Sequence, residues 1–261
     1  MSDEQRLIDY AERGTVIVVP DGEALARLAA ETLATTSAEA VAESRQALIA
    51  LSGGSTPKKM GELLASQDYV GRVHWNYLQI FWGDERWVQL EDSQSNAGEA
   101  MRTFLTRVPI PDENVHPWET DPDLDPTLSA ERYTRMIKEI SGVEDSVPVF
   151  DLVFLGMGDD GHTLSLFPGT GAIRDTHSLT LAHRVEKLEA TRLTFGPVLA
   201  NAASKVVFLV GGAGKAETLH QVLDGEEQPN LLPSQVIRPE SGVLLWLVDD
   251  AAAAKLERSN G

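Results

Sequence analysis

Short apolar runs recur along the chain with helical segments between them, and this alternation limits the fold more than any other feature. Thr15 to Val19, Ala47 to Leu51, Leu78 to Trp82, Phe150 to Met157, Ser178 to Ala182, Lys205 to Val210 and Val243 to Val248 read as strands. Most lack polar alternation, the pattern of strands covered on both faces. Between them Ala97, Met101, Phe104 and Leu105, or Tyr133, Met136, Ile137 and Ile140, fall on one helical face. Strand, helix, strand repetition predicts a doubly wound, mainly parallel sheet with right-handed crossovers. A length of 261 residues fits a single α/β domain over 1–261.

Two polar stretches interrupt the pattern. Val108 to Pro126 carries Pro109, Pro111, Pro117, Pro122 and Pro126 among acidic residues, and is expected as a surface loop within the domain. Asp224 to Pro233 is expected as a second exposed connection, and Ala251 to Leu256 as a short terminal helix.

The formal charge of −18, from 40 acidic and 22 basic residues, repels polyanions and anionic membranes, so neither nucleic acid nor a membrane surface is an expected partner. A small anion can still bind where loop amides and a few cations gather. With no cysteine, disulfides, thiolate nucleophiles and cysteine-held metals are excluded. Met1 to Arg6 is polar, without a signal-peptide core. No run approaches the roughly 18 apolar residues of a spanning helix, and the expected location is the cytoplasm.

Chemistry-bearing residues cluster where strands end. Gly156-Met157-Gly158-Asp159-Asp160-Gly161-His162 follows an apolar strand, and glycines there let backbone and ligand approach closely. His162 can act as a general base while neutral, with Asp160 orienting its ring and Gly161 lining the turn. Asp159 and Asp160 could alternatively cap the following turn. No second His stands at helical spacing, which disfavours a metal. Ser165 lacks a nucleophile elbow.

Ser52-Gly53-Gly54-Ser55-Thr56-Pro57 joins another strand to a helix, with Pro57 suited to the first helical position and Thr56 to the cap. Its amides would then converge on a phosphate, and a bound anion would ease the conflict of Lys58 and Lys59 with the helix dipole. Asp84, Glu85 and Arg86 follow Trp82. The two carboxylates could take sugar hydroxyls, and Arg86 could grip a phosphate or stabilise an oxyanion. Arg192, and Lys215 on its glycine turn, are further basic candidates for the phosphate, each equally readable as an exposed charge.

In order along nearly the whole chain, Ser52 to Pro57, Trp82 to Arg86 with Ser95-Asn96, Gly156 to Gly169, Arg192 to Thr194, Val207 to Ala216 and Leu232 to Ser234 resemble the glucosamine-6-phosphate isomerase/6-phosphogluconolactonase family. The likeness is to its lactonases. It implies a three-layer α/β/α fold, no metal or cofactor, and hydrolysis of 6-phospho-D-glucono-1,5-lactone to 6-phospho-D-gluconate in the pentose phosphate pathway. It also implies His162 as base and Arg86 as a substrate contact. The deaminases of the family have a glutamate five residues beyond the histidine, where this chain has Phe167, and they lack an arginine in the Asp84-Glu85-Arg86 position. Leu164 stands where the lactonases usually have alanine. A sugar-phosphate sensor would carry a helix-turn-helix and a basic surface, and this chain shows neither.

Overall fold

The computed structural model describes residues 6–257; Met1 to Gln5 and the last four residues of the chain, within the expected single domain over 1–261, lie outside the described residues. Apolar runs that can pair on both edges become the strands of one large sheet. In chain order these are β1 (Arg6–Asp9), β2 (Thr15–Val19), β3 (Ala47–Leu51), β4 (Leu78–Trp82), β6 (Leu152–Gly156), β9 (Lys205–Val210) and β10 (Val243–Asp249). Their order across the sheet is β1-β2-β10-β9-β6-β3-β4. All neighbours run parallel except β1, which pairs antiparallel with β2. Ile49, Phe81, Phe154 and Phe208 are wholly buried, as strands covered on both faces require. Phe208 also stacks on its register partner Trp246 at 3.8 Å.

Helices α1 (Gly22–Ala42), α2 (Ser55–Leu64), α3 (Asn96–Thr103), α4 (Pro126–Ser141), α5 (Pro197–Asn201) and α6 (Ala216–Leu223) connect the strands. Side-chain oxygens start several of them: Asp21 accepts from the amides of Glu23 and Ala24 ahead of α1, and Asp125 accepts from Thr127 ahead of α4. Gly142 closes α4 at φ +70°, the left-handed turn that glycine adopts freely. Among the described residues no helix is long and apolar enough to cross a membrane.

Several expectations are corrected. Ser178 to Ala182 does not enter the parallel sheet: Thr180–Val185 forms β7 of a separate antiparallel sheet, ordered β5-β8-β7 with β5 (Asp84–Arg86) and β8 (Ala190–Phe195). The cause is that the chain continues from β4 through Gly83 straight into β5, which carries its own partners beyond the sheet's end. The Val108 to Pro126 segment is more than a surface loop. Val115 bridges to Ile80, and the His116 amide donates to the Ile80 carbonyl at 2.8 Å, covering the open edge of β4. Trp118 is buried there, stacked on Tyr133 at 3.8 Å and donating its indole N–H to the Trp82 carbonyl. Thr56 is not the cap of α2; Gly54 is, at φ +113° and with no side-chain hydrogen bond. The terminal helix is a single 3₁₀ turn, Ala252–Lys255.

The topology decides where ligands can meet. Strands β9, β6, β3 and β4 are consecutive in the sheet and parallel, so the turns after them stand side by side at its carboxyl edge. Those turns begin at Gly211, Met157, Ser52 and Gly83.

Candidate active site

The turn after β6 is built to hold one imidazole. The Gly158 amide donates to the His162 carbonyl at 2.8 Å, and the Gly161 amide donates to the Gly158 carbonyl at 3.1 Å. Gly161 sits at φ +74°, and a Cβ there would lie 2.8 Å from Leu232 Cδ2. From that side the Ser234 amide and hydroxyl both donate to the Gly161 carbonyl. The result is a His162 ring fixed on two sides. Its Nδ1 lies 2.6 Å from Asp160 Oδ1, and its face stacks on Phe167 with centroids 4.2 Å apart. A Cβ on Gly158 would come within 2.0 Å of that Nδ1, so only glycine leaves room for the pair.

Asp160 is a bridge. Its Oδ2 accepts from Lys187 Nζ at 3.1 Å while Oδ1 faces the imidazole. Burial pushes this carboxyl up, but the hydrogen bonds from His162, the charge of its imidazolium form and the hydrogen bond from Lys187 outweigh burial and hold it down at about 2. In the neutral form of the imidazole, an anionic Asp160 keeps the proton on Nδ1 and leaves Nε2 as the acceptor.

The opposite wall comes from the small sheet. In the antiparallel pairing of β5 with β8, Asp84 stands opposite Thr194 and Arg86 opposite Arg192. Two like charges directly across a ladder repel. Burial first, and the charge of Arg86 second, lower the affinity of Arg192 for its proton. Arg86 donates to the Gln94 carbonyl at 2.6 Å. Arg192 has no side-chain hydrogen bond or ion pair among the described residues. A pair of guanidinium groups so placed favours an anion between or beside them. Asp84 accepts from the Ser165 hydroxyl at 2.9 Å, and the Ser165 carbonyl faces His183 Nε2 at 2.7 Å. Burial lowers the pKa of His183, so at neutral pH its Nε2 is a neutral N–H donor to that carbonyl.

Glu85 has a different place from the one its sequence suggests. It is 1% exposed and accepts from the amides of Arg86, Asn96 and Ala97 and from the Ser95 hydroxyl. Burial pushes the carboxyl up against those donors. Its oxygens cap α3 and leave nothing for a sugar hydroxyl, because the alternation of β5 turns residue 85 away from the face that carries Asp84 and Arg86.

Asp84, Arg86, Asp160, His162, Lys187 and Arg192 all line one cavity of about 470 Å³. The Ser52-to-Thr56 turn does not line it. Ser52, Gly53 and Gly54 border a separate recess of about 20 Å³, room for about one water. Lys215 pairs with Asp159 at 2.5 Å on the cavity's margin. Leu164, at φ +52°, packs its side chain over Gly83, where a Cβ would lie 2.7 Å from Leu164 Cδ2. Lys187 was missed by sequence reasoning: a lysine between Glu186 and Glu189 reads as solvated, and only its hairpin brings it to Asp160. Among the described residues no three His, Asp or Glu side chains gather to hold a metal.

Residues 20–246 match the model of the family described as glucosamine-6-phosphate isomerases/6-phosphogluconolactonase. The chain belongs to that family. It is 41% identical to a 6-phosphogluconolactonase of Synechocystis sp., over 84% of this chain and 88% of that protein. It is 40% identical to a 6-phosphogluconolactonase of Nostoc sp., over 93% and 98% of the respective lengths. The crystal structure of devB protein superposes with a TM-score of 0.84 at 33% identity, covering 93% of this chain and 99% of that one. The match to the glucosamine-6-phosphate isomerase/6-phosphogluconolactonase family spans every residue of the cavity, from Asp84 on β5 to Arg192 on β8.

Proposed function

We propose that the chain hydrolyses 6-phospho-D-glucono-1,5-lactone to 6-phospho-D-gluconate, the lactonase step of the oxidative pentose phosphate pathway, in the cytoplasm. The observation that carries this reading is the Asp160–His162 pair at 2.6 Å, facing Arg86 and Arg192 across one cavity in a chain of this family. A δ-lactone has an activated acyl group, so its hydrolysis asks for no covalent nucleophile, metal or cofactor.

In the proposed reaction His162 Nε2 takes a proton from water as the water oxygen bonds to C1. The carbonyl electron pair moves to its oxygen, near a guanidinium. As the tetrahedral intermediate collapses, the bond from C1 to the ring oxygen breaks and His162 returns its proton to that oxygen. Asp160 stays ionised and keeps the ring in the useful tautomer. Arg86, tethered to the Gln94 carbonyl, and Arg192, which has no side-chain partner among the described residues, supply positive charge for the phosphate or the oxyanion. Lys215, paired with Asp159 on the neighbouring turn, adds a further cation at the cavity's rim, whereas the amides of Ser52 to Thr56 border the separate recess.

The test is to oxidise glucose 6-phosphate in situ, follow hydrolysis of the lactone above its spontaneous rate, and offer glucosamine 6-phosphate in parallel. Accelerated lactone hydrolysis is expected. Ammonia release from the amino sugar with no effect on the lactone would overturn the reading in favour of the deaminase branch.

A further inference from the structure

Three cations line the catalytic cavity: Arg86 and Arg192 on the small sheet, and Lys187 on the hairpin that joins β7 to β8. That hairpin is regular in its pairing. Its ladder runs in register to the pair Val185 and Ala190, a 3₁₀ turn spans Glu186–Leu188, and Glu189 closes it at φ +49°. The last is a conformation that non-glycine residues adopt uncommonly, and the turn it closes carries Lys187 at the cavity's rim.

The lysine's side chain is 72% exposed, and its one side-chain partner among the described residues is Asp160. An ion pair so open to water holds little free energy and exchanges readily for a stronger anion. Lys187 also borders a second cavity of about 400 Å³, together with Asp160 and Phe167, so it lines both this space and the catalytic cavity. A phosphomonoester approaching Arg86 and Arg192 would bring up to two negative charges within reach of a third cation on a flexible four-carbon stem.

We propose that Lys187 is a substrate-binding residue that transfers from Asp160 to the phosphate of the bound lactone and sets the preference for phosphorylated over unphosphorylated lactones. The assignment rests on the hydrolytic reading for its substrate, and on the geometry of the cavity for its chemistry. It differs from a purely orienting role, in which Lys187 would act only by steadying Asp160.

The experiment compares the native chain with Lys187→Gln and Lys187→Arg on two substrates, 6-phospho-D-glucono-1,5-lactone and D-glucono-1,5-lactone, with calorimetric titration of inorganic phosphate alongside. Lys187→Gln should lower the ratio of kcat/KM between the two lactones by about tenfold and weaken phosphate binding to a similar degree, the loss of one charged hydrogen bond. Lys187→Arg should recover most of both. An unchanged ratio, including one where both lactones slow alike, overturns the proposal and leaves an orienting lysine. If the native chain accelerates neither lactone, the hydrolytic reading fails, and the phosphate titration by itself decides Lys187: equal binding by native chain and Lys187→Gln overturns it.

Discussion

Two glycine-rich turns stand at the carboxyl ends of the neighbouring strands β3 and β6, yet they face different spaces. The turn after β6 uses its glycines to fit a charged pair: Gly158 makes room for His162 against Asp160, and Gly161 makes room for Leu232 behind them. The turn after β3 uses Gly54 as a helix cap without a side-chain acceptor and borders a recess of about 20 Å³, and among the described residues the buried Ser52 Oγ has no hydrogen-bond partner. The same local signature therefore serves a side chain in one place and bare backbone in the other. Titratable chemistry belongs to the first, and the second offers amides.

The widest separation between them should come from removing one side chain on each. His162→Ala is expected to lower kcat by about 10²- to 10⁴-fold, the usual worth of a positioned general base, with KM within a few fold. Ser52→Ala removes a hydroxyl that has no partner among the described residues, and kcat should stay within about twofold, since little is lost with an unmade hydrogen bond. Steady-state kinetics of both variants on the lactone checks the contrast. Full activity in His162→Ala would take the β6 turn out of the chemistry.

The parallel core was legible because β3 and β6, and β4 and β9 apart from Gln79 and Lys205, are apolar on both faces, a pattern that needs no knowledge of partners. The small sheet was not. Thr191, Arg192 and Thr194 make β8 look polar, and β5 is three charged residues; both become strands through each other. For the same reason the facing of Arg86 and Arg192 was invisible, since a register between residues so far apart in sequence is set by tertiary pairing. Glu85 misled because its sequence neighbours line the cavity while strand alternation turns it to the α3 N-terminus. In the Val108 to Pro126 segment the prolines and acids concealed Trp118, whose burial depends on Tyr133 from α4.

Adding a methyl group to one glycine of each turn sharpens the comparison further. A Cβ at Gly158 would lie 2.0 Å from His162 Nδ1 and 2.9 Å from Asp160 Oδ1, so Gly158→Ala must push the pair apart. Misplacing a catalytic group by about an ångström costs on the order of 10²-fold in rate, and kcat should fall to that extent in a folded protein. A Cβ at Gly53 would instead lie 1.8 Å from Asn96 Oδ1. Asn96 holds the Asp84 carbonyl at the start of α3, so Gly53→Ala should cost about 1 to 3 kcal/mol of stability, as overpacked interiors do. Thermal melts and kinetics on both variants separate the two outcomes, and equal effects on rate would erase the distinction between the turns.

The smallest expected effect concerns acid. In the folded chain the Asp160 carboxyl is depressed from its ordinary 3.8 to about 2 by His162 and Lys187, against the upward push of burial. A depressed folded value means that the ionised form stabilises the fold above pH 3.8 and that this contribution is lost as pH falls through about 2. Asp160→Asn abolishes the titration while keeping the shape. The difference in Tm between the native chain and Asp160→Asn should therefore be full at about pH 5 and shrink steadily between about pH 4 and pH 2. The corresponding β3 turn holds no carboxylate from Ser52 to Pro57, and Ser52→Ala should show a Tm difference from the native chain that is flat over the same range. A flat difference for Asp160→Asn as well would mean that its bonds to His162 and Lys187 do not discriminate between carboxylate and carboxyl, and the base on the β6 turn would lose its orienting anion.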